Sequence, residues 1–159
     1  MGGTTACETL EGILMDERYL SSFKRNLGVL TEEEQERVAE TRVAVIGDSG
    51  TADVICTMLA RMGFTDFILA GGDSYVPSDM NRQACCFTDT VGRNKLVVTS
   101  ETLRRINPDI RITARDHLPE PEEMEDMIRD APIVIPALDN LARRRRRVGQ
   151  RLYERHAVP

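Results

Sequence analysis

Apolar positions along the chain switch between helical spacing and short unbroken runs. Leu10, Ile13, Leu14, Leu20 and Phe23 recur at roughly helical intervals, so residues 1–30 read as an arm of one or two amphipathic helices. Thr31-Glu32-Glu33-Glu34 has the form of a capping box, in which the Thr31 hydroxyl and the Glu34 carboxylate meet free amides at a helix start. A helix reaching about Glu40 is therefore predicted. Arg42-Val43-Ala44-Val45-Ile46-Gly47 is rich in β-branched residues without polar alternation, the pattern of a strand buried on both faces. Helical spacing returns over residues 53–62, and Phe67-Ile68-Leu69-Ala70 forms a second buried run.

The polar stretch from residue 71 to 90 reads as a long loop with one short helical turn, and loops of that length inside a compact domain are usually functional. Residues 91–106 have helical spacing, closed by Asn107-Pro108 because proline stops helix propagation. Then follow a strand over 110–114, a helix over 120–129, a strand over 133–137 and a helix over 140–154. Strand and helix alternate throughout. That order predicts an α/β, Rossmann-like fold: a mainly parallel sheet with helices on both faces, preceded by the N-terminal helical arm. The expected organisation is an arm over residues 1–30 and one α/β domain over 31–159.

Composition narrows the class. Hydrophobic residues make up 41% and charged residues 30% of the 159, ordinary for a globular protein, while the absence of Trp leaves the core to aliphatics. No apolar run approaches the roughly 18–20 residues of a membrane helix, and residues 1–8 lack the features of a secretory signal, so the expected compartment is the cytoplasm. The net charge of −5 argues against general affinity for nucleic acid. Arg143 to Arg147 would spread around a helix and make no one-sided basic patch. The four cysteines, Cys7, Cys56, Cys85 and Cys86, form no C-x-x-C pair, and the vicinal pair reads as buried small residues beside a site. Only Lys24 and Lys95 are lysine among 21 basic residues, so each calls for a specific reason.

The turn after the first strand reads Gly47-Asp48-Ser49-Gly50-Thr51-Ala52. Glycines there let backbone amides approach a phosphate at the positive end of a helix. Against G-x-G-x-x-G the middle glycine is Ser49 and the last is Ala52, so the turn alone fits either a phosphate cradle or a plain strand-to-helix connection. At the end of the second strand, Ala70-Gly71-Gly72-Asp73, only Asp73 offers a carboxylate for ribose hydroxyls. A nicotinamide-binding domain is compatible with these two features, yet nothing else resembles a hydride-transfer site.

Taken in order, a longer series of motifs resembles the ThiF/MoeB/HesA family, which includes the adenylation domains of ubiquitin-activating enzymes. The series is Phe23-Lys24-Arg25-Asn26, Glu33-Glu34-Gln35, the strand and turn from Val43 to Gly50, Asp79-Met80-Asn81-Arg82-Gln83, Gly92-Arg93-Asn94-Lys95, Ile106-Asn107-Pro108 and Ala137-Leu138-Asp139-Asn140. The resemblance implies an enzyme that uses ATP and Mg2+ to adenylate the C-terminal glycine of a ubiquitin-like or sulfur-carrier protein ending in Gly-Gly. Arg82 and Lys95 match the family's phosphate-contacting cations, and Asp139 its metal-associated carboxylate. Gly47 and Gly50 belong to the nucleotide turn, and Asp73 to the ribose end of the second strand. Arg25 matches an arginine that reaches into the partner's site in homodimeric members, which implies a homodimer.

Departures from the pattern set a second expectation. The family's second strand usually ends in Asp-x-Asp, where this chain has Gly71 before Asp73; Asp79 stands where Asn is usual, and Ser49 replaces a glycine. A lost ribose contact costs about 1–3 kcal/mol, or ten- to a hundredfold in affinity. Family members also continue beyond the point matching Pro159 with a further strand, a zinc site and the surface that receives the carrier's tail. The alternative is thus a degenerate, non-catalytic member that serves as a dimerisation or scaffolding module.

Overall fold

The computed structural model describes residues 17–138. Four strands, β1 (Arg42–Ile46), β2 (Asp66–Ala70), β3 (Arg111–Arg115) and β4 (Ile133–Pro136), form one parallel sheet in the order β3-β2-β1-β4. Among the described residues the helices are α1 (Glu17–Phe23), α2 (Glu32–Glu40), α3 (Gly50–Met62), α4 (Lys95–Ile106) and α5 (Pro121–Ile128). The expected parallel α/β architecture is the one observed. None of these helices is long and apolar enough to cross a membrane.

Alternation along β1 and β2 divides the core in two. Val43 and Val45 with Phe67 and Leu69 face α3 and α4, meeting Cys56, Ala60 and Leu103. Ala44 and Ile46 with Ile68 and Ala70 face the other way, onto Met124 and Ile128 of α5. Each central strand therefore buries both faces, which is why its sequence shows no polar alternation. β3, at the sheet edge, is mostly exposed and correspondingly polar.

The order places a switch point between β1 and β4. The chain leaves β1 towards α3 on one side of the sheet and enters β4 from α5 on the other, and such a divergence opens a crevice beyond the carboxyl ends of the strands. The glycine turn lies there. Gly47, at φ +108°, has its ideal Cβ position only 2.7 Å from the Ala137 carbonyl carbon, so any side chain would collide with the end of β4. The Ser49 amide donates to the Ala137 carbonyl at 3.3 Å, fastening the turn to that strand end.

Thr31 and Glu34 form the expected capping box at the start of α2. The described part of the N-terminal arm, residues 17–30, packs on the body of its own chain. The Tyr19 hydroxyl donates to the Gly63 carbonyl at 2.7 Å and accepts from Gln35 at 2.9 Å, while Asn26, in a 3-10 turn over Lys24–Gly28, donates to Gln35 and to the Met62 carbonyl. Two helix starts differ from expectation. α3 begins at Gly50, earlier than residue 53, and α4 begins at Lys95, later than residue 91.

Candidate functional site

The second half of the loop after β2 is folded back on the first. Lys95 N–H donates to the Asp73 carbonyl, Ser74 bridges Asn94, and Tyr75 exchanges backbone hydrogen bonds with Gly92 and Arg93. This short antiparallel clamp brings the start of α4 against the end of β2. Asn94 caps α4 by accepting from the Val97 amide at 3.1 Å, fixing the turn from which the Lys95 side chain departs.

Arg82 and Lys95, from different segments, meet on one carboxylate. Asp79 accepts from Arg82 Nη2 at 2.9 Å, and Lys95 Nζ lies 3.5 Å from its other oxygen. Asp79 is 3% exposed and Lys95 6%, whereas the Arg82 side chain keeps 51% of its surface in solvent. Lys95 Nζ also lies 3.9 Å from the exposed Asp73 carboxylate and 5.8 Å from the Tyr75 ring centre. Burial works against the charged form of Asp79, but the Val76 amide at 3.0 Å together with Lys95 and Arg82 outweighs it and holds the carboxyl below its ordinary range. The Asp that stands where Asn is usual is thus a buried counter-ion to both cations.

This cluster borders the glycine turn. An ideal Cβ at Gly50 would lie 3.3 Å from Arg82 Cγ and 3.5 Å from Gln83 Cγ, so the glycine admits the Arg82-Gln83 segment against the first turn of α3. No side chain caps that turn: the Ser49 hydroxyl pairs with Thr51 at 2.8 Å instead. A helix start without a side-chain cap is suited to an anion. Beside it the buried Gln83 side-chain oxygen has no hydrogen-bond partner among the described residues. Uncapped amides and two cations at one strand-end crevice are a donor set that fits a nucleotide's phosphates, while the Gln83 oxygen is an acceptor suited to a hydroxyl or amino group.

A second buried carboxylate supports the loop from below. Asp53, 1% exposed, accepts from the Tyr75 hydroxyl at 2.7 Å, the Thr99 hydroxyl at 3.1 Å and the Cys85 amide at 3.4 Å. Burial raises its pKa despite those donors. Cys85 and Cys86 are free and buried here, and burial, aided by Asp53, pushes the Cys85 thiol up to about 11, away from thiolate chemistry at neutral pH.

Between α4 and β3 lies a cleft of about 840 Å³, lined among others by Asn94, Val97, Ser100, Ala114, Asp116 and His117. Its mixed apolar and polar walls and its size suit a small ligand. Against the end of β2 stands Asp48, half-buried, whose carboxylate accepts from the Asp73 amide at 2.8 Å.

Other expected site residues are placed apart from this group or lie beyond view. Arg25 is exposed on the 3-10 turn and makes no hydrogen bond or ion pair with the cluster. Asp139 lies outside the described residues, as do residues 140–154 with the arginine run; Ala137 and Leu138, just before it, pack against Gly47. Among the described residues no three metal-binding side chains come together. Sequence reasoning passed over Asp48, Asp53 and Tyr75. For Asp48 there was a signal: an acid gained in the glycine turn alongside one absent at Gly71.

Residues 23–154 match the ThiF family. The chain is 28% identical over 132 residues to a sulfur carrier protein ThiS adenylyltransferase of Escherichia coli, a match covering 82% of this chain and 53% of that protein. It is 31% identical over 113 residues to a HesA protein of Leptolyngbya boryana, covering 71% and 41%. A crystal structure of the E. coli tRNA N6-threonylcarbamoyladenosine dehydratase in complex with ATP superposes with a TM-score of 0.77 at 25% identity, covering 81% of this chain and 54% of that one. The chain thus spans about half the length of the relatives it matches. With motifs, sheet order and the family match agreeing over most of its length, the chain belongs to the ThiF family.

Proposed function

We propose that this chain supplies the nucleotide-binding part of an adenylyltransferase that activates the C-terminal glycine of a ubiquitin-like or sulfur-carrier protein with ATP and Mg2+. The observation that carries the reading is the meeting of Arg82 and Lys95 on Asp79, beside an uncapped helix start.

In adenylation a carboxylate oxygen bonds to the α-phosphorus as the bond to pyrophosphate breaks, so negative charge grows on the departing group. Arg82 and Lys95 offset that charge from fixed positions, at little reorganisation cost. Gly50 lets Arg82 pack against the first turn of α3, beside the amides that would meet the phosphates, and the cleft by Ser100 and Asp116 would take the base. Magnesium, when bound, screens the triphosphate, and Asp139 is the residue that would hold it. Arg25, free of the cluster in its own chain, would serve the site of a second copy in a homodimer.

Asp79 also favours a second reading, a scaffolding member in which the buried acid has permanently neutralised both cations. Pyrophosphate exchange separates the two. Incubated with ATP, Mg2+ and a carrier ending in Gly-Gly, the full chain is expected to show carrier-dependent exchange that Asp139→Ala abolishes. Exchange absent from the wild type would reject the enzyme reading.

A further inference from the structure

We propose that Asp48 recognises the ribose hydroxyls of the bound nucleotide, in place of the acid that this chain lacks at position 71. The proposal rests on the nucleotide-site reading above and adds a residue to it.

Steric exclusion is the first support. An ideal Cβ at Gly71 would lie 2.5 Å from Asp48 Oδ2, 2.6 Å from its Cγ and 2.8 Å from its Cβ. Non-bonded carbon and oxygen atoms do not approach so closely, so a side chain at 71 and the observed carboxylate at 48 exclude each other. Asp48 therefore fills the space into which a residue-71 side chain would start, at the end of β2. Gly71 is the condition for that placement.

Orientation is the second. The Asp73 amide donates to Asp48 Oδ2 at 2.8 Å, which fixes the carboxylate plane. The backbone N–H of Asp48 itself also bonds its carboxylate. Two carboxylate oxygens supply about four acceptor sites, enough for a diol after two amides have taken theirs. Burial, with the neighbouring Asp73 charge, raises the Asp48 pKa, and hydroxyl donors would offset that cost.

Position is the third. Asp48 adjoins the Gly71-Gly72-Asp73 segment, whose Asp73 reaches Lys95 at 3.9 Å at one end, while an ideal Cβ at Gly72 would lie 2.7 Å from the carbonyl of Asp116, a residue of the cleft wall. A ribose links base to phosphates across that interval. Asp73, the other candidate, is 74% exposed and turned towards Lys95.

The test is calorimetry of the full chain with Mg2+ and either ATP or 2′,3′-dideoxy-ATP, with thermal melting to confirm folding. The wild type is expected to bind ATP about ten- to a hundredfold more tightly than the dideoxy nucleotide. Asp48→Ala is expected to lose that preference while holding dideoxy-ATP as the wild type does, an effect a purely structural aspartate would not produce. Gly71→Asp added to Asp48→Ala is expected to restore the preference. Equal wild-type affinity for the two nucleotides overturns the role of Asp48 and leaves nucleotide binding standing, whereas absence of ATP binding overturns both.

Discussion

Asp79 illustrates how one residue sets the character of the site. It holds Lys95 and Arg82 in place, yet presents a negative charge where phosphates would bind. Replacing it by the family's usual side chain separates the two effects. Asp79→Asn is expected to raise ATP affinity about three- to tenfold, because a like charge is removed, and to lower stability by roughly 1–3 kcal/mol, because a buried ion pair is broken. Calorimetry and urea melts read the two quantities. The pH dependence has a definite sign. The Asp79 carboxyl is held below its ordinary range, so its stabilisation is present above that range and is lost as pH falls through the lowered value. The Asp79→Asn variant should lack this step in an acid-side stability profile. Arg82 and Lys95 were legible because each sits in a dense run of family motifs. The burial of Asp53 was not, since its partners Tyr75 and Thr99 come from distant segments and leave no local pattern.

At the scale of elements, apolar periodicity marked which face of each helix is buried but not where the helix starts. Val91 continues the apolar spacing of α4, yet Gly92 adopts φ +86° and Asn94 supplies the cap, so the helix waits for Lys95. At α3 the turn runs straight into helix at Gly50, leaving Asp53 to be buried in the first turn. β1 and β2 were the most legible elements, because burial on both faces imposes unbroken apolar runs. The end of α3 carries a testable consequence. Gly63 closes that helix at φ +107°, with the side chains of Gln35 and Tyr19 packed where a Cβ would stand. Gly63→Ala is expected to cost at least 1 kcal/mol in a denaturant melt, since it strains the backbone and displaces the contacts that seat α1. An unchanged midpoint would mean that the arm is not fastened at this point.

For the whole molecule, the sheet order β3-β2-β1-β4 decides where chemistry can occur. It opens a crevice at the carboxyl end of β1 and β4; the clamp between residues 73–75 and 92–95 positions Lys95, and Arg82 packs against Gly50 of the glycine turn. Strand and helix alternation made this architecture readable, whereas the convergence of Arg82, Lys95, Asp79 and Asp48 depends on how a long polar loop folds back, which no periodicity encodes. This crevice is expected to bind the triphosphate of ATP through Arg82 and Lys95. The most direct test is titration calorimetry of the full chain with ATP and Mg2+, wild type against Arg82→Ala and Lys95→Ala. Micromolar wild-type binding, weakened at least tenfold in each folded variant, is the expected result; binding that is absent, or that survives both substitutions unchanged, contradicts the account.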